Sequence, residues 1–296
     1  MRLTLPFAMA CLGLGPALST ASAAGTDWAK VADALGKSGT EMPGGVYRVG
    51  LPRTDLHVVV DGVEVKPVLA LGSWLAFRSD GDKAMVMGDL VLTEAEIGPV
   101  MKKLAESGIE ITALHNHLLR AQPATFYMHV LGHADPVTLA TALHDGLALS
   151  KTPLGNAPSS AVALPLDLDT AMIDRTLGAK GKAAGGVYQV NVPRAEMIRD
   201  NGMEVPVAMG AAEAINFQPT GGGKAAITGD FVLTAGEVNP VLRALRDNGI
   251  EVTALHNHML DDQPRLFFMH FWANDDAHKL ALGLRAALDK INLARS

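Results

Sequence analysis

Apolar and polar positions alternate through a ten-residue stretch that occurs twice, Gly-Ile-Glu-Ile-Thr-Ala-Leu-His-Asn-His from Gly108 to His117 and Gly-Ile-Glu-Val-Thr-Ala-Leu-His-Asn-His from Gly249 to His258. Such a run predicts a strand, in which alternate side chains share a face. His115 and His117 are therefore expected to point one way together with Ile109, Ile111 and Ala113, and His256 and His258 likewise. Ahead of each stretch the period changes. Ile97, Val100, Met101 and Leu104, and their counterparts Val238, Val241, Leu242 and Leu245, recur at helical spacing. Thr93 with Glu96, and Thr234 with Glu237, have the spacing of a capping box, which accounts for both glutamates without any chemistry. Gly108 and Gly249 then close the helices as left-handed caps.

The repeat extends in both directions, with matched residues 141 positions apart through the histidine stretch and its flanking motifs (His115 to His256) and 142 apart in the opening helix (Gly36 to Gly178). Upstream, Trp28 to Gly36 and Thr170 to Gly178 read as short helices, and Gly88 to Thr93 and Gly229 to Thr234 as strands running into helices. His57 to Val60, Val65 to Leu71 and Trp74 to Phe77 are strand-like, as are Val205 to Met209 and Ala214 to Phe217. Gly221 to Gly223 reads as a hairpin loop, since no Lys-Ser/Thr follows to make a phosphate cradle. Downstream, Thr125 to Leu131 and Leu266 to Trp272 are aromatic and β-branched. Their short connection to the histidine strand favours an antiparallel neighbour. Asp135-Pro136 opens a last helix with Leu139, Leu143 and Leu147 on one face, matched by Leu280, Leu284 and Leu288.

The predicted fold is α+β. Two tandem homologous repeats, 25–150 and 168–296, each form an antiparallel sheet with helices on one face, related by a pseudo-two-fold. The proline-rich segment 151–167 links them. Residues 1–24 carry Arg2, an apolar run from Leu3 to Leu18 and a small-residue tail, the layout of a signal peptide. This points to a periplasmic or secreted protein. The only cysteine, Cys11, lies within that segment, so after cleavage neither disulfides nor thiolate ligands remain. Ala8-Met9-Ala10 before it lacks the usual lipobox leucine, so a lipid anchor is not expected. No later stretch reaches the roughly 20 apolar residues of a membrane span. A formal charge of −6 without a Lys/Arg block excludes a nucleic-acid surface.

Six of the ten histidines fall at equivalent positions of the two copies: His115, His117 and His129, and His256, His258 and His270. A His-x-His pair joined by a third imidazole from the next strand can converge on one metal ion and leave a position open, which suits zinc or copper. One such site is expected in each repeat. Met128 and Met269 should face away from their neighbouring histidines. Asn116 and Asn257 alternate to the opposite face and are candidates for supporting or ligand-contacting roles. Arg53 and Arg194 are candidate anion binders, although a Pro-Arg turn with a solvated side chain fits them equally. Asp89 and Asp230 read as turn residues that become carboxylate ligands only if the fold brings them close.

The tandem halves, Gly-Asp-x-Val-Leu-Thr-x-x-Glu at Gly88 and Gly229, Thr-Ala-Leu-His-Asn-His and the Met-His that follows resemble the bacterial LppY/LpqO-like exported proteins of unknown function. The resemblance implies an exported, duplicated domain, often lipid-anchored, and carries no activity. Two classes of function fit the residues. One is a metal-binding protein, hydrolase-like if the metal acts on a small substrate. The other is a metal-free small-ligand module or envelope protein whose histidines belong to the core.

Overall fold

The computed structural model describes residues 26–155 and 166–294. The expected signal peptide and most of the expected linker lie outside these residues. The first repeat runs α1 (Trp28–Leu35), β1 (Thr40–Met42), β2 (Val46–Pro52), β3 (Val58–Val60), β4 (Val63–Val65), α2 (Pro67–Ala70), β5 (Gly72–Asp80), β6 (Lys83–Thr93), α3 (Glu94–Glu106), β7 (Glu110–His115), β8 (Thr125–Ala134) and α4 (Pro136–Leu147). The second runs α5 (Thr170–Leu177), β9 (Lys182–Ala184), β10 (Val187–Pro193), β11 (Arg199–Asp200), β12 (Met203–Glu204), a 3-10 turn (Val207–Met209), β13 (Ala212–Gly221), β14 (Lys224–Thr234), α6 (Ala235–Asp247), β15 (Glu251–His256), β16 (Asp262–Gln263), β17 (Leu266–Asp276) and α7 (Ala277–Leu288).

Each repeat builds a six-stranded sheet with the same winding, β1-β2-β5-β6-β8-β7 and β9-β10-β13-β14-β17-β15. Every pairing within them is antiparallel. The local signals act as their chemistry requires. Asp27 and Asp169 cap α1 and α5, and Gly36 and Gly178 end them in the left-handed conformation. Both capping boxes form at the starts of α3 and α6, each such cap worth about 1 kcal/mol. The Gly221–Gly223 segment is the β13–β14 hairpin, with positive φ at all three glycines.

Two strand expectations fail at prolines. Val65 to Leu71 ends as a strand at Val65 and turns at Pro67 into α2, where a first-turn proline is preorganised for helix. Val205 to Met209 becomes a 3-10 turn after Pro206.

Four layers result: helices, sheet, sheet, helices. Leu51, Phe77, Leu90 and Met128 face α1, α3 and α4 in a core confined to the first repeat, and Phe217, Phe231, Met269 and Phe271 do the same in the second. The opposite sheet faces meet each other. Met85, Met87 and Leu131 pack with Val232, Leu266 and Phe268, and Tyr127 and Val91 with Ala226 and Trp272. Among the described residues no helix is long and apolar enough to cross a membrane.

Candidate metal centre

The histidines reach the inter-repeat layer through a bulge. Ile111 pairs with Val130 but Ala113 pairs with His129, leaving Thr112 as the extra residue. Directly paired residues share a sheet face, so the inserted residue reverses the alternation. Ile109 and Ile111 face the helices, while Ala113 and His115 turn with His129 toward the other repeat. This corrects the expectation that all of them share one face. The same bulge lies between Val252 and Ala254. His117 and His258 lie just beyond the ends of β7 and β15 rather than on them. Met128 and Met269 point into the helix-side cores, away from the imidazoles.

All six imidazoles gather at the pseudo-two-fold axis, and the expected pair of separate sites is one composite cluster. His115 and His256 stack on each other with ring centroids 3.5 Å apart. His117 lies between Tyr127 and His270 at 3.4 and 3.6 Å. Its counterpart His258 lies between Phe268 and His129 at 3.6 and 3.8 Å. Among the described residues three sets bring their ligand atoms within 4.8 Å of one another: His115, His117 and His129; His115, His256 and His270; and His129, His256 and His258. Two of the three draw on both repeats.

The tautomers define what the cluster can bind. Nδ1 of His270 donates to the Gly229 carbonyl at 2.8 Å, and Nδ1 of His256 to the Asn257 carbonyl at 3.0 Å. A carbonyl only accepts, so in each neutral ring the proton is on Nδ1 and Nε2 carries a bare lone pair. Those two Nε2 atoms face each other at 2.8 Å, and the Nε2 atoms of His115 and His129 do the same at 2.8 Å. Two opposed lone pairs repel unless a cation lies between or beside them. Tetrahedral zinc spaces its nitrogen ligands by about 3.3 Å, given Zn–N bonds of about 2.0 Å. A backbone carbonyl accepting from Nδ1 is also the usual support of a metal-binding imidazole.

Carboxylates flank the cluster. Asp89 is the cross-strand partner of His129, and Asp230 that of His270, so both are strand residues rather than turn residues. Asp230 approaches Nε2 of His258 at 3.2 Å, off the line of a hydrogen bond, and Asp89 approaches Nε2 of His117 at 3.7 Å. Asp89 Oδ1, Asp230 Oδ1, and Nε2 of His117 and His258 are buried without hydrogen-bond partners, each costing about 1–3 kcal/mol. Burial, then the neighbouring Asp230 charge, pushes the Asp89 carboxyl well up, and burial raises Asp230. Burial, reinforced by His256 and His258, pulls His115 down to about 2, and burial pulls His270 down to about 3 against the pull of Asp230. Metal-free, the rings are held neutral, the state in which imidazole is a ligand.

Other candidates take structural places. Arg53 and Arg194 are buried, not solvated: Arg53 pairs with Glu96 and Asp55 and donates to the Val91 carbonyl, and Arg194 pairs with Glu237 and Glu196 and donates to the Val232 carbonyl. The guanidinium nitrogens of Arg53 are all engaged within the protein, and neither arginine lines the cavity beside the histidines. Asn257 donates across the interface to the Thr112 carbonyl, and Asn116 is partly buried beside His115. Thr112, Thr253, Tyr127 and Phe268 escaped the sequence reading. Their signal was the duplication itself, which sets an aromatic residue at 127 and 268 and threonine at 112 and 253.

The family described as Domain of Unknown Function (DUF1259) matches residues 29–149 and again residues 171–290. The chain belongs to this family. It carries the domain twice, and the cluster forms where the two copies of this DUF1259 domain meet. Comparison with curated proteins finds no match. Among solved structures the chain is similar to a trimeric bacterial microcompartment shell protein, PduB, at 12% identity over 85% of this chain and 89% of that one, with a TM-score of 0.20. EtuB from Clostridium kluyveri is similar at 10% identity over 86% and 90%, also with a TM-score of 0.20. Likenesses at that TM-score carry no argument about this chain.

Proposed function

We propose that this protein binds a transition metal, zinc or copper, at one composite centre built by His115, His117 and His129 with His256, His258 and His270, with Asp89 and Asp230 beside it. The opposed Nε2 lone pairs of His256 and His270, 2.8 Å apart with both Nδ1 atoms committed to carbonyls, carry this reading. Four partnerless buried atoms around them support it, and an all-nitrogen set with carboxylate neighbours suits zinc or copper over calcium or magnesium. A hydrolase-like reaction on a small substrate is the finer reading, supported by a cavity that reaches Asp89, His117, His258 and His270. The same cavity supports a second reading, a metal-free small-ligand module. Export to the periplasm and kinship with the LppY/LpqO-like proteins belong to the proposal, supported by the N-terminal sequence pattern and the repeated motifs.

Elemental analysis of protein purified without a histidine tag separates the two readings. One to two equivalents of zinc or copper, lost in the His117→Ala, His258→Ala double variant, are expected. Metal-free protein that takes up neither ion on titration contradicts the proposal.

A further inference from the structure

The two repeats differ on one side of the histidines. Where β10 carries Gln189, β2 carries Arg48, and where β13 sets Ala214 opposite Asp230, β5 sets Trp74 opposite Asp89. These departures line a cavity of about 410 Å3 between the sheets, within the size range of small-molecule sites. The Arg48 guanidinium lies 4.1 Å from the Trp74 ring and donates from Nη1 to the Ala208 carbonyl. Among the described residues no carboxylate comes within ion-pair reach of it. Asp89 acts on it only from farther off, and burial lowers its pKa to about 10, which leaves it charged at neutral pH. A guanidinium offers five N–H donors in a planar fork. One is used, and a half-buried cation without a counter-ion is costly. Lys182 adds a second, exposed cation at the same cavity, and Val68, Leu69 and Val207 give it apolar walls.

We infer that this cavity binds a small organic acid, its carboxylate on the free donors of Arg48 and its apolar body against Val68, Leu69 and Val207. Trp74 holds the guanidinium from one face and leaves its edge to the ligand, an arrangement that pairs naturally with a planar carboxylate. The second repeat cannot duplicate the site, because Gln189 brings no charge. The inference does not rest on the metal reading, since Arg48 lines the cavity whatever the histidines hold.

Benzoate is the probe, followed by tryptophan fluorescence and thermal shift on the full chain, both as purified and after dialysis against EDTA. Saturable binding is expected in both preparations, with inorganic phosphate at least tenfold weaker. Arg48→Gln, which installs the residue the second repeat already tolerates, should weaken benzoate at least tenfold. Gln189→Glu, which keeps Arg48 but sets a competing carboxylate at the cavity wall, should do the same and decides the matter if Arg48→Gln does not fold. No saturable binding overturns the inference, as does wild-type affinity in folded variants or phosphate binding as tight as benzoate. Binding that vanishes in EDTA also overturns it, by assigning the carboxylate to the metal. Elemental analysis reports on the metal reading separately.

Discussion

The Thr112 hydroxyl donates to the backbone carbonyl of His258 at 2.6 Å, and its counterpart Thr253 donates to the carbonyl of His117 at 2.5 Å. Reciprocal contacts of this kind are the mark of a two-fold interface. Each threonine is the bulged residue of its own strand, so the device that turns one repeat's histidines inward also anchors the loop that carries the other's. Thr112→Val with Thr253→Val leaves two buried carbonyls unpaired, at about 1–3 kcal/mol each. The melting temperature should fall by roughly 5–15 °C, and metal affinity should fall with it. Unchanged affinity would show that these contacts do not position the centre.

Metal removal has its own signature. A ligand bound only by the folded state stabilises it by about 2.7 kcal/mol at a free concentration 100 times its Kd. For a chain of this size that is roughly 5–10 °C, lost in EDTA and regained on adding zinc or copper. Identical melting curves with and without chelator count against the proposal.

The duplication was legible as repeated sequence, and the helix caps, the Gly221–Gly223 hairpin and the antiparallel neighbours of the histidine strand were legible because each depends on residues close in sequence. The pseudo-two-fold was expected as well, but the gathering of both copies' histidines into one cluster was not. Ile109, Ile111, Ala113 and His115 keep an unbroken alternation, and nothing local reveals that Thr112 is inserted and reverses it. The set of histidines that closes on itself is likewise decided by docking between repeats, which leaves no periodic trace. Arg53 misled for a related reason: its partner Glu96 is distant in sequence and was already explained by the capping box.

Arg53 and Glu96 therefore yield a prediction opposite to a ligand-binding role. Burial opposes the charge of each, yet hydrogen bonds prevail, those to Asp55 and then Glu96 raising the arginine, and those from Arg53 and the Thr93 and Lys151 amides lowering the glutamate. Arg53→Met strands a buried carboxylate and should cost about 3–5 kcal/mol by chemical denaturation. Metal content per folded molecule should stay at the wild-type level, and a selective loss of metal with stability intact would contradict this placement.

The metal-free protein should be acid-sensitive. The histidine pKa values are depressed in the folded state, to about 2 for His115 and about 3 for His270, against roughly 6.5 when unfolded. Below that value the unfolded chain takes up protons that the folded chain refuses, so stability falls as pH falls, by about 1.4 kcal/mol per histidine per pH unit. Asp89, Asp230 and Glu213, whose carboxyls are raised chiefly by burial, act in the opposite sense above the ordinary carboxylate range and offset part of it. In EDTA the melting temperature should drop between pH 7 and pH 5. A flat or rising profile would show that the rings are not held neutral.

The composite centre is tested most directly by counting metal in a variant altered in one repeat only. His256→Ala with His258→Ala removes a member from two of the three sets and leaves His115, His117 and His129 in place. If both repeats build one centre, elemental analysis of the folded variant will find bound metal reduced to less than about a tenth of the wild-type content, the roughly 1.4 kcal/mol or more per lost contact being enough to empty the site at low free metal. Retention of half the wild-type metal, held by the untouched repeat, would contradict the account.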